Sequence, residues 1–287
     1  MADRPLAGQR ILITGAARGI GAHTARLAAA AGARLSQVVL EPDRLRALAT
    51  ELDAHVAECD VTDQEAVDAA VASAVDALGG LDAVVANAGI APMGTIALGP
   101  VDDHARTIDV NLTGVLRTVS ATLPHLVAAR GYALLISSAA AFVGMPGMAA
   151  YCASKAGVEH FGNVLRQEVA HLGVRVGTVH PSWVDTDMVR EFEALDVYLA
   201  ARARLPWPLR SVTSVEECAA AVVKALVRRP RRVYVPRAVA LVRPLRVLTG
   251  GRLVDWVTAR ATGGGRLVTR LDEEVRALRA TGAGRGR

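Results

Sequence analysis

A glycine-rich loop that directly follows a short apolar run constrains the fold of this chain more than any other feature. Residues 9–14 predict a buried strand that leads into Thr-Gly-Ala-Ala-Arg-Gly-Ile-Gly, and an alanine-rich helix is predicted from about 19 to 31. Gly15 permits a tight turn, Gly19 lets the backbone approach a pyrophosphate, and Gly21 allows close packing of helix on strand. The strand, the loop and the helix together therefore predict a phosphate site. Taken alone, the loop would also fit a glycine-rich surface turn.

Apolar, β-rich runs alternate with longer alanine-rich helical patterns along most of the chain. The predicted strands lie near residues 9–14, 34–40, 55–59, 82–86, 131–138, 174–180 and 232–236. This alternation is typical of a parallel sheet covered on both faces, and right-handed crossovers favour a Rossmann-type doubly wound α/β fold with three α/β/α layers. We predict one catalytic and dinucleotide-binding domain over residues 1–236, followed by an arginine-rich helical C-terminal extension over residues 237–287.

Tyr151 and Lys155 lie in the stretch Tyr-Cys-Ala-Ser-Lys, and Lys155 is one of only two lysines among 33 basic residues. Residues four apart share one face of a helix, so the phenol and the ammonium can point into one pocket. A nearby cation lowers the pKa of tyrosine from its usual value of about 10, toward the range of a general acid. An exposed helical pair is the alternative. Ser138, 13 residues upstream, ends a strand-like run and is a further candidate for this site.

Together these motifs resemble the short-chain dehydrogenase/reductase family, in its compact branch, from about residue 8 to residue 236. The resemblance is carried by Thr14-Gly-x-x-x-Gly-x-Gly21, Asn87-Ala88-Gly89, Asn111, Ser138, Tyr151 and Lys155. It implies a homo-oligomeric enzyme, a dimer or tetramer, that transfers hydride between a nicotinamide cofactor and a carbonyl or alcohol.

The resemblance also assigns roles to four catalytic residues. Tyr151 would donate a proton to the carbonyl oxygen or remove one from the alcohol, and Ser138 would hydrogen-bond the same oxygen. Lys155 would lower the Tyr151 pKa and hold the nicotinamide ribose. Asn111 would hold a water in a proton relay to Lys155, although taken singly it would also fit a helix irregularity.

Cofactor contacts are predicted along six segments of the chain. The assigned positions are Gly15, Arg18, Gly19, Ile20, Gly21, Val39, Asp60, Val61, Asn87, Ala88, Gly89, Tyr151, Lys155, Pro181, Val184 and Thr186. By resemblance, Asp60 meets the adenine amine and Pro181-Ser-Trp-Val-Asp-Thr186 holds the nicotinamide carboxamide. Two positions depart from the family pattern: Ala86 replaces an Asn, and Ser182 replaces a Gly, which raises a question about backbone geometry there.

Cofactor choice depends on the end of the second strand. An NAD enzyme generally carries an acidic residue there that binds the ribose 2′-hydroxyl, whereas alignment with the family places Val39 at this position. Arg18 can contact a 2′-phosphate. We therefore favour NADP(H), with NAD(H) as the alternative, either because the enzyme tolerates both or because Glu41 takes the acid's place in a shifted loop.

Six apolar residues are predicted to border a hydrophobic substrate pocket for a ketone or secondary alcohol, although ordinary packing would also explain them. They are Phe142, Met145, Met148, Trp183, Met188 and Phe192. Residues 187–210 are predicted to form a mobile lid over this pocket. Reduction of an imine or enone on the same scaffold, and a non-catalytic nucleotide-binding interaction protein, are the competing functions.

The composition of the chain also bears on disulfides, metal sites, membrane segments and binding partners. Three cysteines without Cys-x-x-Cys spacing argue against a disulfide framework or a zinc site. The N-terminus does not show the pattern of a signal peptide, and no apolar run reaches the length of a membrane-spanning helix, so a cytoplasmic protein is expected. Residues 228–287 hold 15 arginines and only 4 acidic residues, so the basic charge lies in the tail. This tail would suit an acidic surface, a partner subunit or anionic lipid, but no aromatic stacking platform accompanies the arginines, which disfavours nucleic acid. Helices packed on the domain are the simpler interpretation.

Overall fold

The computed structural model describes residues 4–40, 48–203, 210–244, 251 and 265–280. Its strands are β1 (Arg10–Thr14), β2 (Arg34–Val39), β3 (His55–Glu58), β4 (Ala83–Ala86), β5 (Tyr132–Ile136), β6 (Arg175–Pro181), β7 (Trp183–Val184), β8 (Val212–Thr213) and β9 (Arg232–Val235). Seven strands match the seven predicted ones, with ends that differ by at most two residues. The two-residue strands β7 and β8 were not predicted, because so short a segment shows no alternating pattern.

Helices follow most of the strands. The α-helices are α1 (Gly19–Ala30), α2 (Gln64–Leu78), α3 (Val101–Ile108), α4 (Gly114–Ala129), α5 (Ala149–Glu168), α6 (Asp187–Glu193), α7 (Asp196–Ala203), α8 (Val215–Arg228) and α9 (Arg266–Ala280). A π-helical turn, Asp109–Thr113, joins α3 to α4. Short 3₁₀ helices occupy Ala139–Ala141, Ala170–Leu172 and Arg237–Leu241.

The central sheet has seven parallel strands in the order β3-β2-β1-β4-β5-β6-β9. The predicted Rossmann-type α/β fold is therefore confirmed. Strand order reverses at β1, which pairs with β2 on one side and with β4 on the other. Such a switch point leaves a crevice at the carboxyl ends of the strands, where ligands bind in doubly wound sheets.

Alternation along the strands divides the core between the two faces of the sheet. Ile11 and Ile13 face α1 and α8, while Leu12 between them faces α2, α4 and α5. All three side chains are at most 1% exposed. Because successive strand residues point to opposite faces, this short apolar run packs into both helical layers at once.

The segments beyond the sheet partly follow their predictions. The predicted lid contains α6 and α7, and its residues 204–209 lie outside the described residues. In the predicted helical extension, Arg266–Ala280 forms α9, whereas residues 252–264 lie outside the described residues. Within the described chain, every helix is too short or too polar to cross a lipid bilayer.

Candidate active site

The glycine loop turns sharply at the carboxyl end of β1. Gly15 has a φ of 66°, and a Cβ added there would lie 2.8 Å from the Cα of Ala88, so only glycine allows this approach of β1 to the turn after β4. A Cβ on Gly21 would collide with the carbonyl oxygen of Gly15. Both glycines therefore occupy positions where their lack of a side chain is required.

Asn87 and Thr14 lock the loop to the turn after β4. The backbone N–H groups of Asn87 and Ala88 donate to Thr14 Oγ1 at 3.0 and 3.1 Å. Asn87 Nδ2 donates to the carbonyl oxygens of Thr14 and Gly15, at 3.0 and 3.1 Å. Because Asn87 supplies these contacts, the departure at Ala86, which is buried in β4, leaves the link between the two strands intact.

The N-terminus of α1 is open to an anion. Its N-cap residue, Arg18, makes no side-chain cap, and its first turn contains no acidic residue. By contrast, Asp63 caps α2 and Ser214 caps α8, and both helices carry acidic residues in their first turns. Uncapped N–H groups at the positive end of the helix dipole fit a pyrophosphate, as the sequence predicts.

The end of β2 agrees with the predicted absence of an acidic residue. Val39 is the last residue of β2 and is buried. Arg18 is exposed, and it forms no ion pair with another residue that the structure describes. Glu41, the alternative ribose ligand, lies outside the described residues.

The turn after β3 holds Asp60 in a fixed orientation. Asp60 Oδ1 accepts hydrogen bonds from the N–H and the hydroxyl of Thr62, at 2.9 and 2.8 Å. Val61 is buried beside Gly114, where a Cβ would come within 2.8 Å of the Val61 side chain. These contacts keep Asp60 and Val61, two of the predicted cofactor contacts, in place.

The segment from Pro181 to Thr186 closes over the glycine loop. Thr186 Cγ2 lies 3.4 Å from where a Cβ on Gly19 would stand. Val184 lies in β7, which pairs with β8. Ser182 donates its N–H to the Val235 carbonyl at 2.7 Å and is not among the described residues with positive φ. Serine therefore replaces the family's glycine without strain.

Asn111 lies in the π-helical turn, an irregularity that often marks functional sites. Its Oδ1 accepts from Ile90 N at 2.8 Å, and its Nδ2 donates to Ile90 O at 2.8 Å and to Ser154 Oγ at 3.2 Å. A Cβ on Gly89 would lie 3.2 Å from Asn111 Oδ1 and 3.5 Å from Lys155 Nζ. Asn111 and Lys155 therefore border the same small space.

Tyr151 and Lys155 lie on α5, beside the end of β5. The Lys155 ammonium is 5.7 Å from the centroid of the Tyr151 ring and donates to the carbonyl of Ile136 at 3.0 Å. Ser138 follows β5, accepts from Ala140 N at 3.1 Å and donates to the Pro181 carbonyl at 3.4 Å. The structure thus brings together Ser138, Tyr151 and Lys155 at one edge of the sheet.

Burial dominates the electrostatics of the pair on α5. It raises the pKa of the Tyr151 phenol, while a hydrogen bond with Ser138 acts in the opposite direction. Burial lowers the pKa of the Lys155 ammonium to about 8. The sequence-based expectation of a lowered Tyr151 pKa therefore differs from the structure, because Lys155 is 5.7 Å from the ring and burial disfavours the phenolate.

Five of the six predicted pocket residues pack into one apolar cluster next to Tyr151. These five are Met145, Met148, Trp183, Met188 and Phe192. Phe142 instead joins a separate cluster with Val239, where its ring lies 4.8 Å from that of His180 and 6.4 Å from that of Tyr234. Phe142 is therefore a packing residue behind Ser138 and not part of the cluster around Tyr151.

The sequence predictions missed several residues of this site. Ser154 holds Asn111, yet a single serine on a helix gives no signal of that contact. Met93, Tyr198 and Leu271 belong to the cluster around Tyr151. Of these three, only Leu271 had a usable signal, because it is an apolar residue within the extension that was predicted to be helical.

A doubly wound parallel sheet with a glycine loop at its switch point defines a dinucleotide-binding α/β protein. The side chains of Ser138, Tyr151 and Lys155 near that loop restrict the protein to one family within this class. The chain belongs to the short-chain dehydrogenase family, a family of oxidoreductases, whose profile matches residues 9–196.

Individual relatives agree with this assignment. The chain is 39% identical over 188 residues to trans-4-hydroxycyclohexanecarboxylate dehydrogenase of Sinomonas cyclohexanicum, covering 62% of this chain and 73% of that protein. It is 36% identical over 237 residues to an uncharacterised oxidoreductase of Mycobacterium tuberculosis, covering 79% and 88%. A crystal structure of a short-chain dehydrogenase from Burkholderia cenocepacia in complex with NADP has a TM-score of 0.73 and 30% identity, covering 80% of this chain and 97% of that one.

Proposed function

We propose that this protein is an NAD(P)-dependent carbonyl reductase or secondary alcohol dehydrogenase that acts on a hydrophobic ketone or alcohol. The observation that carries the proposal is the contact of the Tyr151 phenol with both the Ser138 hydroxyl and an apolar cluster. A carbonyl substrate needs a proton donor and a hydrogen-bond donor at its oxygen, and apolar surface around its carbon skeleton.

In the proposed reduction, Tyr151 supplies the proton. A pKa raised by burial keeps the phenol protonated near neutral pH, so it is ready to donate to the carbonyl oxygen. Ser138 donates a hydrogen bond to the same oxygen and stabilises the negative charge that develops there. When bound, the nicotinamide would supply the hydride.

Lys155 and Asn111 support the proton donor. Below about pH 8 the buried Lys155 ammonium carries a charge that favours the phenolate left after proton transfer. Asn111 Oδ1 and Lys155 Nζ border the space at Gly89, which supports the predicted proton relay between them. The same lysine is proposed to hold the nicotinamide ribose.

The remaining cofactor contacts follow from the loops around the crevice. The open N-terminus of α1 would hold the pyrophosphate, Asp60 would meet the adenine, and residues 181–186 would meet the carboxamide. We propose a preference for NADP(H), supported by the valine at the end of β2 and the exposed Arg18 beside the loop. The related Burkholderia cenocepacia structure contains NADP.

The decisive experiment measures oxidation of NADPH and NADH by the wild-type protein with cyclic ketones, imines and enones. We expect turnover of ketones, and a loss of about 10²–10⁴-fold in Tyr151→Phe, the typical contribution of a general acid. Tyr234→Phe is the matched control, because Tyr234 packs on His180 outside the cluster around Tyr151. Cofactor binding by Tyr151→Phe, measured by fluorescence titration, should match that of the wild type.

Other outcomes separate the competing functions. Turnover of imines or enones without ketones would assign the protein to C=N or C=C reduction. Cofactor binding without turnover of any class would favour the non-catalytic interaction protein. Undiminished activity in Tyr151→Phe would exclude Tyr151 as the general acid.

Three further predictions accompany this proposal. We propose that residues 1–236 form the catalytic domain and residues 237–287 an extension of it. A homo-oligomeric state is likewise proposed, on the resemblance to the family, and so is the cytoplasmic location expected from the sequence. Sedimentation equilibrium of the full chain would measure the oligomeric state.

A further inference from the structure

The C-terminal helix α9 lies beyond residue 196, where the match to the family profile ends. Leu271 and Asp272 on this helix are 2% and 6% exposed, whereas their neighbours Arg270 and Glu273 are exposed. One face of α9, which includes Leu271 and Asp272, is therefore buried against the rest of the protein, and the other face presents charged residues such as Arg270 and Glu273.

Leu271 is buried in the same apolar cluster that contacts Tyr151. Its neighbours there include Met93, Met148 and Tyr198. A Cβ on Gly147 would collide with Leu271 Cδ2, and Gly147 has a φ of 82°. Leu271 therefore lies directly on the backbone of the segment that leads into the catalytic helix α5.

Two carboxylates anchor α9 to segments beside the pocket. Asp272 Oδ1 accepts the N–H of Thr95 at 3.2 Å, and Asp272 Oδ2 accepts its hydroxyl at 2.8 Å. Glu274 Oε2 accepts the N–H of Val197, at the start of α7, at 3.3 Å. The helix is thus joined both to the loop after β4 and to the predicted lid.

We propose that Leu271 is a specificity-determining residue that forms the outer wall of the substrate pocket. Through it, α9 restricts the site to compact, neutral, apolar ketones or secondary alcohols. The inference rests on the proposed function for the reaction, but the position of Leu271 is independent of it. The wall is apolar because Leu271 contributes only carbon atoms and the Asp272 carboxylate is turned onto Thr95.

The first test compares kcat/KM for cyclohexanone and for a bulky 4-substituted cyclohexanone. In Leu271→Ala we expect the ratio of bulky to small substrate to rise about tenfold or more, the scale on which apolar walls discriminate by size. Leu271→Met conserves volume and should keep the wild-type ratio. Arg270→Ala, on the exposed face of the same helix, is the matched control.

The second test requires no enzymatic activity. Cys152 is partly exposed and packs against the cluster that contains Leu271, while Cys59 and Cys218 are buried and serve as internal references. Alkylation of each thiol by N-ethylmaleimide is followed by peptide mass spectrometry. We expect Cys152 to react several-fold faster in Leu271→Ala than in Arg270→Ala.

The two readouts distinguish the inference from the function on which it rests. If the wild type reduces no ketone, the proposed function fails. The labelling of Cys152 then still tests whether Leu271 covers the apolar cluster around Tyr151. If Leu271→Ala does not fold, Thr95→Val, which removes one anchor of α9 without a cavity, must accelerate the labelling instead. Equal labelling of Cys152 in the wild type and in the folded Leu271 or Thr95 variant overturns the proposal, as does an unchanged substrate ratio in an active Leu271→Ala.

Discussion

The Nε2 atom of His180 lies 2.9 Å from Oε2 of Glu159, and both side chains are buried. On the other side of the ring, His180 Nδ1 is 3.4 Å from the carbonyl oxygen of Ser138. Arg232 Nε lies 3.3 Å from Glu159 Oε1. A buried charged network therefore connects the middle of α5 to the backbone of a candidate catalytic residue.

Glu159→Gln should destabilise the fold in a pH-dependent way. Burial alone would raise the pKa of Glu159, but hydrogen bonds and charge from His180, together with Asn163 and Arg232, lower it to about 2. Since an unfolded glutamate has a pKa of about 4.3, the stabilisation is complete above that pH and is lost as the pH falls toward 2. Near neutral pH we expect a loss of about 3 kcal/mol in the free energy of unfolding, typical of a broken buried pair.

Urea unfolding at several pH values measures this effect. The difference between wild type and Glu159→Gln should be largest near neutral pH and shrink on acidification. Glu168→Gln, an exposed position on the same helix, is the control and should show little change. A difference that stays constant down to low pH would contradict the assignment.

Lys155 should set the alkaline limit of the reductive reaction. Because burial lowers the Lys155 pKa to about 8, the ammonium is lost as the pH rises through that value, and with it the charge that favours proton transfer from Tyr151. We expect kcat/KM for the cofactor, which reports groups of the free enzyme, to fall above about pH 8. Lys155→Met should show low activity without this break. Lys224→Met, at the other lysine, should keep the wild-type profile, and a break retained in Lys155→Met would rule out Lys155 as its source.

Gly89→Ala should impair turnover while preserving the fold. The added methyl group would lie 3.2 Å from Asn111 Oδ1, in the space that this residue shares with Lys155. Small displacements of catalytic groups are costly, so we expect a loss on the order of tenfold or more. Gly144→Ala is the control, since nothing lies within 4 Å of its added Cβ. Thermal melting should be similar for both variants; full activity in Gly89→Ala would exclude a role for this space in the reaction.

Arg18→Ala should weaken binding of NADPH but not of NADH. A hydrogen bond to a charged group contributes about 1.5 kcal/mol or more, so the Kd for NADPH should rise about tenfold. Arg26→Ala, on the same helix but paired with Glu51, provides the control. Fluorescence titration with both cofactors measures the change. An equal loss of affinity for NADPH and NADH would place Arg18 on the pyrophosphate and not on the 2′-phosphate.

Local rules made much of this molecule predictable from its sequence. The seven strands followed from alternation between apolar runs and helical patterns, and the glycine loop follows β1 as predicted, at the point where the strand order reverses. The four-residue spacing placed Tyr151 and Lys155 on one helix beside Ser138. In each case the determining residues are near one another in the chain, where backbone geometry leaves few alternatives.

Long-range packing was beyond the reach of the sequence patterns. Thr95 and Asp272 are separated by 177 positions, and no periodicity reports such a contact. Phe142 was expected in the pocket, but it follows the 3₁₀ turn Ala139–Ala141 and packs on His180 instead. The Tyr151 pKa depends on how deeply the phenol is buried, which spacing along a helix does not reveal.

The contact of Leu271 with Gly147 has a consequence for biosynthesis. A ribosome makes the glycine loop, Ser138, Tyr151 and Lys155 long before it reaches Leu271, and the sheet closes with β9 at Val235. A nascent chain can therefore assemble its nucleotide crevice while the apolar side chains around Tyr151 are still exposed to water on the side that Leu271 later covers. Leu271 joins the apolar cluster around Tyr151 only after the residues of that crevice have been synthesised.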